Sequence, residues 1–168
     1  RGDTFRITAD YTQEKHIDGL PIGTRGGALL SYTFPQDGGY EIEVLLSRDR
    51  NEHVEGLNGT HKMEILIDRA MIEQFTVARA GKRHSEVDKH LKTRTFVRAG
   101  PRKVGVTFLK KSYSLLENKR KPFEAHFNLH RHPRLSPAVY QISITGPYKA
   151  KGAGQTPSRK KIFRRFTR

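Results

Sequence analysis

Cysteine is absent from the 168 residues. No disulfide, thiolate zinc site or thiol nucleophile can therefore form, and the redox compartment is left open. Long apolar runs are absent as well. The longest are strand-sized, such as Val44 to Leu46, well short of the ~18–20 residues of a membrane-spanning helix. No long window carries a 3.6-residue apolar stripe, which excludes a helical bundle. Acidic residues all but vanish from the second half. Arg1 to Asp88 holds 11 basic and 15 acidic residues, whereas Lys89 to Arg168 holds 21 basic and two acidic, Glu117 and Glu124. The net charge of +15 thus joins a mildly acidic half to a strongly basic one. The field of the basic half suits a polyanion: nucleic acid, an anionic glycan or an acidic partner domain. An apolar share of 35% supports one modest core and one domain. The chain opens at Arg1 without Met or a leader, so we expect a processed chain or an excised domain.

Most of the sequence reads as strands. Phe5 and Ile7 alternate with polar neighbours. Ala28, Leu30, Tyr32 and Phe34 repeat at period two, Pro35 to Gly39 supplies turn chemistry, and Tyr40, Ile42, Val44 and Leu46 resume the pattern. The two segments read as a hairpin with one face buried and Glu41 and Glu43 facing water. Met63, Ile65 and Ile67 form a further strand, linked tightly through Asp68-Arg69-Ala70 to one carrying Met71, Glu73, Phe75 and Val77. Leu91 to Val97 is β-branched, Ala99-Gly100-Pro101 turns the chain, and Val104, Val106 and Phe108 return it. Tyr140, Ile142 and Ile144 close the series, with Gly146-Pro147 expected to stop it. Residues 112–120 could form a helical turn or two. Eight or so short strands predict an all-β chain, an antiparallel β-sandwich or barrel over residues 3–148. The irregular stretches 10–27, 47–61 and 109–137 are where function is expected. Residues 149–168, with eight basic residues and no acid, read as a linker or tail.

Five separated blocks carry a resemblance. They are His16 to Gly27, Tyr32 to Tyr40, Arg50 to Leu57, Val104 to Leu109, and a last block running Ile142 to Tyr148 and then Thr156 to Arg159. In order, they resemble the β-sandwich segment of planctomycete-type multidomain proteins that carry a cytochrome c domain. That segment is similar to calcium-dependent xylan-binding and related carbohydrate-binding modules of jelly-roll fold. The resemblance implies a jelly roll and a non-catalytic polysaccharide- or oligosaccharide-binding module in a periplasmic or extracellular protein. Its neighbours would be other domains of the same polypeptide. The family pattern has a Cys shortly after the Ile162-Phe163 pair, and here Arg164 to Arg168 follows instead.

Sugar recognition uses aromatic faces and planar polar groups. The candidate contacts are Tyr11, Arg25, Tyr113, His126, Asn128, His130 and Arg134. The lack of tryptophan argues against a flat platform for crystalline polysaccharide. For Phe123 and Phe127 the competing reading is a cap on the core. A five-residue echo, His16-Ile17-Asp18-Gly19-Leu20 and His53-Val54-Glu55-Gly56-Leu57, suggests a metal site. If both loops share one end of the sandwich, His16, Asp18, His53 and Glu55 converge on calcium or another divalent metal. The competing reading makes each Gly-Leu pair a turn and plug with no ligand. The alternating His126, His130 and His132 could also ligate metal, or simply pack within a basic loop.

Two other classes of function were weighed. One is a structural interdomain element whose basic half docks on an acidic neighbour. The other is nucleic-acid binding through Lys110, Lys111 and Lys119 to Lys121 with Tyr113 and Phe123, although no recognised motif accompanies them. Arg1-Gly2-Asp3 and Asn58-Gly59-Thr60 spell an adhesion tripeptide and a glycosylation sequon, both short enough to arise by chance. No nucleophile elbow, phosphate loop or zinc-protease helix is present. Asp18, Glu52 and Glu55 could supply paired carboxylates, but nothing in the sequence fixes their separation.

Overall fold

The computed structural model describes residues 2–79, 81, 83–111, 134–150, 152 and 161. Eight strands account for the architecture: β1 Gly2–Arg6, β2 Thr24–Phe34, β3 Gly38–Leu46, β4 His61–Ile67, β5 Ala70–Val77, β6 Lys92–Val97, β7 Gly100–Leu109 and β8 Val139–Tyr148. They form two antiparallel four-stranded sheets, ordered β1-β8-β3-β6 and β2-β7-β4-β5. Consecutive strands mostly lie in opposite sheets, and the first and last strands pair. That connectivity is a jelly roll. The chain is an all-β antiparallel sandwich, as alternation and resemblance together predict.

Alternation explains the core. In β3, Tyr40, Ile42, Val44 and Leu46 are buried while Glu41, Glu43 and Leu45 are partly exposed. They meet Met63, Ile65, Val104, Val106 and Phe108 of the facing sheet, with Ile142 and Ile144 beside them. Phe5, Tyr32, Phe34 and Tyr40 form an edge-to-face chain with centroids 6.0, 4.7 and 4.7 Å apart, the favoured geometry for aromatic quadrupoles. The Asp68-Arg69 turn has φ of 48° and 70°, the left-handed pair of a two-residue hairpin. The Asp68 carboxylate accepts from the Lys103 amide and from Arg102, both at 2.9 Å, tying this hairpin to β7.

Three departures from simple alternation matter. First, β2 begins at Thr24, inside a stretch expected to be loop, because Gly26 and Gly27 form a bulge between Arg25 and Ala28. Second, β8 does not stop at Gly146-Pro147. These residues bulge out while Tyr148 rejoins opposite Gly39, a placement that spares proline the ladder hydrogen bond. Third, the β3–β8 register shifts between Leu45 and Leu46, which pair with Gln141 and Val139, so Tyr140 is the extra residue.

The registers place the strand ends flanking all four long connections, 7–23, 47–60, 78–91 and 110–138, at one end of the sandwich. Among its described residues, segment 78–91, which the sequence did not single out, contains only a short 3-10 turn, His84–Glu86. Residues 112–120, and nearly all of the expected tail, lie outside the described residues. No helix among the described residues is long and apolar enough to cross a membrane.

Candidate functional site

Three buried side chains organise the loop end. Gln13, at φ 56°, bridges the two sheets. Its carbonyl accepts from the amides of Gly27 (3.0 Å) and Val139 (2.9 Å), and its amide donates to the Val139 carbonyl at 2.7 Å. Arg134 pairs with Glu55 at 3.0 Å and donates to the carbonyls of Ala9, Tyr11 and Thr12. Asp88 accepts from the Leu46 amide at 3.0 Å and from Arg48 at 2.6 Å. Each satisfies loop backbone groups that would otherwise be buried unpaired. The loops are thereby fixed as a frame.

Between them lies a cleft of about 410 Å³, lined by Ala9, Leu45, Leu46, Ser47, Arg48, Asp49, Glu52, Glu55 and Tyr140. Its most informative member is Tyr140. Alternation predicts Tyr140 on the core face with Ile142 and Ile144, but the bulge rotates it out, as bulges do beside functional sites. Arg48 is committed: besides Asp88, it donates to the carbonyls of Glu52 (2.8 Å) and His84 (3.3 Å). Asp49 accepts from the amides of Asn51 and His53 at 2.8 and 2.9 Å. Chiefly through the His53 amide, its carboxyl is held below the usual carboxylate range despite an opposing burial effect. The Ser47 hydroxyl is buried and has no hydrogen-bond partner. Beside the cleft, the His53 and His84 rings stack with centroids 3.7 Å apart. The set combines an aromatic face, hydroxyl and carboxylate groups and a preformed frame, which is what a polyhydroxylated ligand requires.

The structure distributes the sequence candidates unevenly. Tyr11 is exposed at 42%, two residues from the cleft wall at Ala9. Arg25 and Arg134 are buried, at 4% and 6% exposure, and so offer nothing to solvent. Arg25 donates to the carbonyls of Gln13 and Pro137 at 3.4 and 3.1 Å and lies 4.9 Å above the Phe108 ring. Tyr113, His126, Asn128, His130 and His132 fall outside the described residues.

The expected metal cluster does not assemble. No group of three or more His, Asp or Glu among the described residues is placed to hold an ion. His16 and Asp18 are exposed, Glu55 is paired with Arg134, and His53 stacks on His84. The echo has a structural cause instead. Gly19 and Gly56 take φ of 92° and 70°, and the leucines that follow are plugs. Leu20 packs on the β2-β7-β4-β5 sheet near Gly105 and Leu29, and Leu57 packs on the core. Sequence reasoning missed Ser47, Arg48, Asp49, Asp88, Gln13 and the outward turn of Tyr140. No local pattern marks a bulge or a loop-spanning side chain.

His61, buried beneath this end, makes the frame sensitive to pH. Burial, then the charges of Lys111 and Arg25, push its imidazole down to about 4. The unfolded chain takes up that proton near the ordinary ~6.5. The stability tied to neutral His61 is therefore complete above about pH 6.5 and lost as pH falls toward 4, on the order of 2 kcal/mol. Urea unfolding at pH 7 and pH 4.5 should show a larger drop for the wild type than for His61→Gln. Equal drops would remove His61 from the account.

No protein-family model and no curated protein matches the chain. Among solved structures, it is similar to a family 35 carbohydrate-binding module from Cellvibrio japonicus, at 11% identity over 92% of this chain and 100% of that one, TM-score 0.44. It is also similar to the C-terminal family 6 carbohydrate-binding module of a marine laminarinase from Zobellia galactanivorans, at 16% identity over 86% and 100%, TM-score 0.41. A third is a β-glucosidase from Paenibacillus barengoltzii, at 7% identity over 75% of this chain, TM-score 0.39. The chain spans 10% of that enzyme's length.

Proposed function

We propose that this chain is a non-catalytic saccharide-binding module, holding a polysaccharide or oligosaccharide segment in the loop-end cleft. The observation that carries the reading is the bulge that takes Tyr140 out of the core and into a cleft with Ser47, Asp49 and Glu52. A ring edge or face there gives a sugar an apolar surface, and the carboxylates accept from its hydroxyls. The sequence resemblance adds the wider setting: a periplasmic or extracellular multidomain protein linked to a cytochrome, with neighbouring domains of the same polypeptide as partners. Calcium, also implied by the resemblance, belongs to the same proposal and draws no support from the described residues.

Isothermal titration with plant and algal oligosaccharides, with and without calcium, tests the reading. Binding to at least one glycan is expected. The Tyr140→Ala variant should bind it about tenfold more weakly, since some 50–60 Å² of apolar contact at roughly 25 cal/mol per Å² would be lost. No heat from any glycan under either condition would overturn the proposal.

A further inference from the structure

The chain as a whole is strongly basic, yet the cleft is not. Its lining holds one arginine, Arg48, against three carboxylates, Asp49, Glu52 and Glu55. Two arginines at the cleft are matched internally: Arg48 by Asp88 at 2.6 Å and Arg134 by Glu55 at 3.0 Å. Two carboxylates remain over. Around the Asp49 carboxylate are the amides of Asn51 and His53 and the His53 ring, 3.7 Å away. Glu52 is exposed, and its carboxylate forms no hydrogen bond or ion pair among the described residues. At the same site the Ser47 hydroxyl is buried, at 4% exposure, with no partner, although buried hydroxyls are nearly always paired.

Resting on the saccharide-binding reading, we infer that this cleft selects a neutral saccharide and rejects uronic-acid chains, in spite of the protein's overall charge. The two unmatched carboxylates accept hydrogen bonds from sugar hydroxyls. A uronate carboxylate in their place would meet like charge at close range, where the medium screens less well than bulk water. The basic field of the second half raises the encounter rate of any polyanion, but it does not make the cleft a uronate site. Selection thus works against attraction.

Isothermal titration at pH 7.5 compares xylohexaose with an oligogalacturonate of equal length. The neutral chain should bind at least tenfold more tightly, and Glu52→Gln should narrow the ratio to within about threefold. The Glu52 carboxylate has no partner among the described residues to lose, so that variant should fold normally, and a thermal melt checks it. Equal or tighter uronate binding, or a ratio unmoved by Glu52→Gln, would overturn this inference and leave the saccharide-binding reading standing. Silence with both chains, and with the wider glycan panel, would overturn the reading itself and this inference with it.

Discussion

Replacing Arg134 with alanine is expected to cost about 3–5 kcal/mol of folding stability, the usual result of removing one partner from a buried ion pair. The side chain is 1% exposed and that of Glu55 10%. Its loss leaves the Glu55 carboxylate buried without its counter-charge and the carbonyls of Ala9, Tyr11 and Thr12 without their donor. The damage reaches the cleft, because Ala9 and Glu55 both line it. Arg134→Lys should recover only part of the loss, since a single ammonium cannot span the carboxylate and the carbonyls as a planar fork does. Urea denaturation measures both. A cost below about 1 kcal/mol would place Arg134 among solvent-screened pairs and remove it from the frame.

Gly27→Ala is expected to prevent folding altogether. At φ 81°, an added Cβ would lie 1.8 Å from the Val106 carbonyl oxygen and 2.7 Å from its carbon. Val106 is fully buried in β7 and pairs with Ala28 on one side and Ile65 on the other. Backbone held on both sides cannot retreat. Gly23→Ala provides the control, because Gly23 has φ 83° but nothing within 4 Å of a Cβ. It should cost only the left-handed conformational penalty, about 1–2 kcal/mol. Far-ultraviolet circular dichroism and thermal melting separate the two: a melted or insoluble Gly27→Ala beside a folded Gly23→Ala. Equal, mild effects would mean that the β2 bulge does not press on β7.

These two residues also show where the sequence was legible. Period-two burial reveals a strand whenever one face is wet, so Ala28 to Phe34 and Tyr40 to Leu46 announce β2 and β3 directly, but not that the two strands cross to opposite sheets instead of pairing as a hairpin. The order in which strands pair is not written locally, and the jelly roll came from resemblance. Bulges are invisible to alternation, because one inserted residue leaves the composition unchanged while reversing a face. Tyr140 was therefore assigned to the core. Arg25 and Arg134 read as ligand contacts because charge in a loop is ordinarily solvated. What buries them is backbone more than a hundred residues away in sequence, as the Arg25–Pro137 and Arg134–Ala9 bonds show. The repeated His-x-acid-Gly-Leu pattern misled in the opposite sense. Its regularity lies in the glycine turns and leucine plugs, not in the histidines.

The location of the binding surface is tested most directly by an amide-resolved NMR titration of the intact chain with xylohexaose, extended to the other neutral glycans of the panel. Saturable shifts concentrated on Leu45 to Asp49, Glu52 and Tyr140 are predicted. Shifts gathered on the outer face of either sheet, or at the hairpin-turn end near Pro35 and Pro147, would contradict that placement, as would a spectrum that no glycan perturbs.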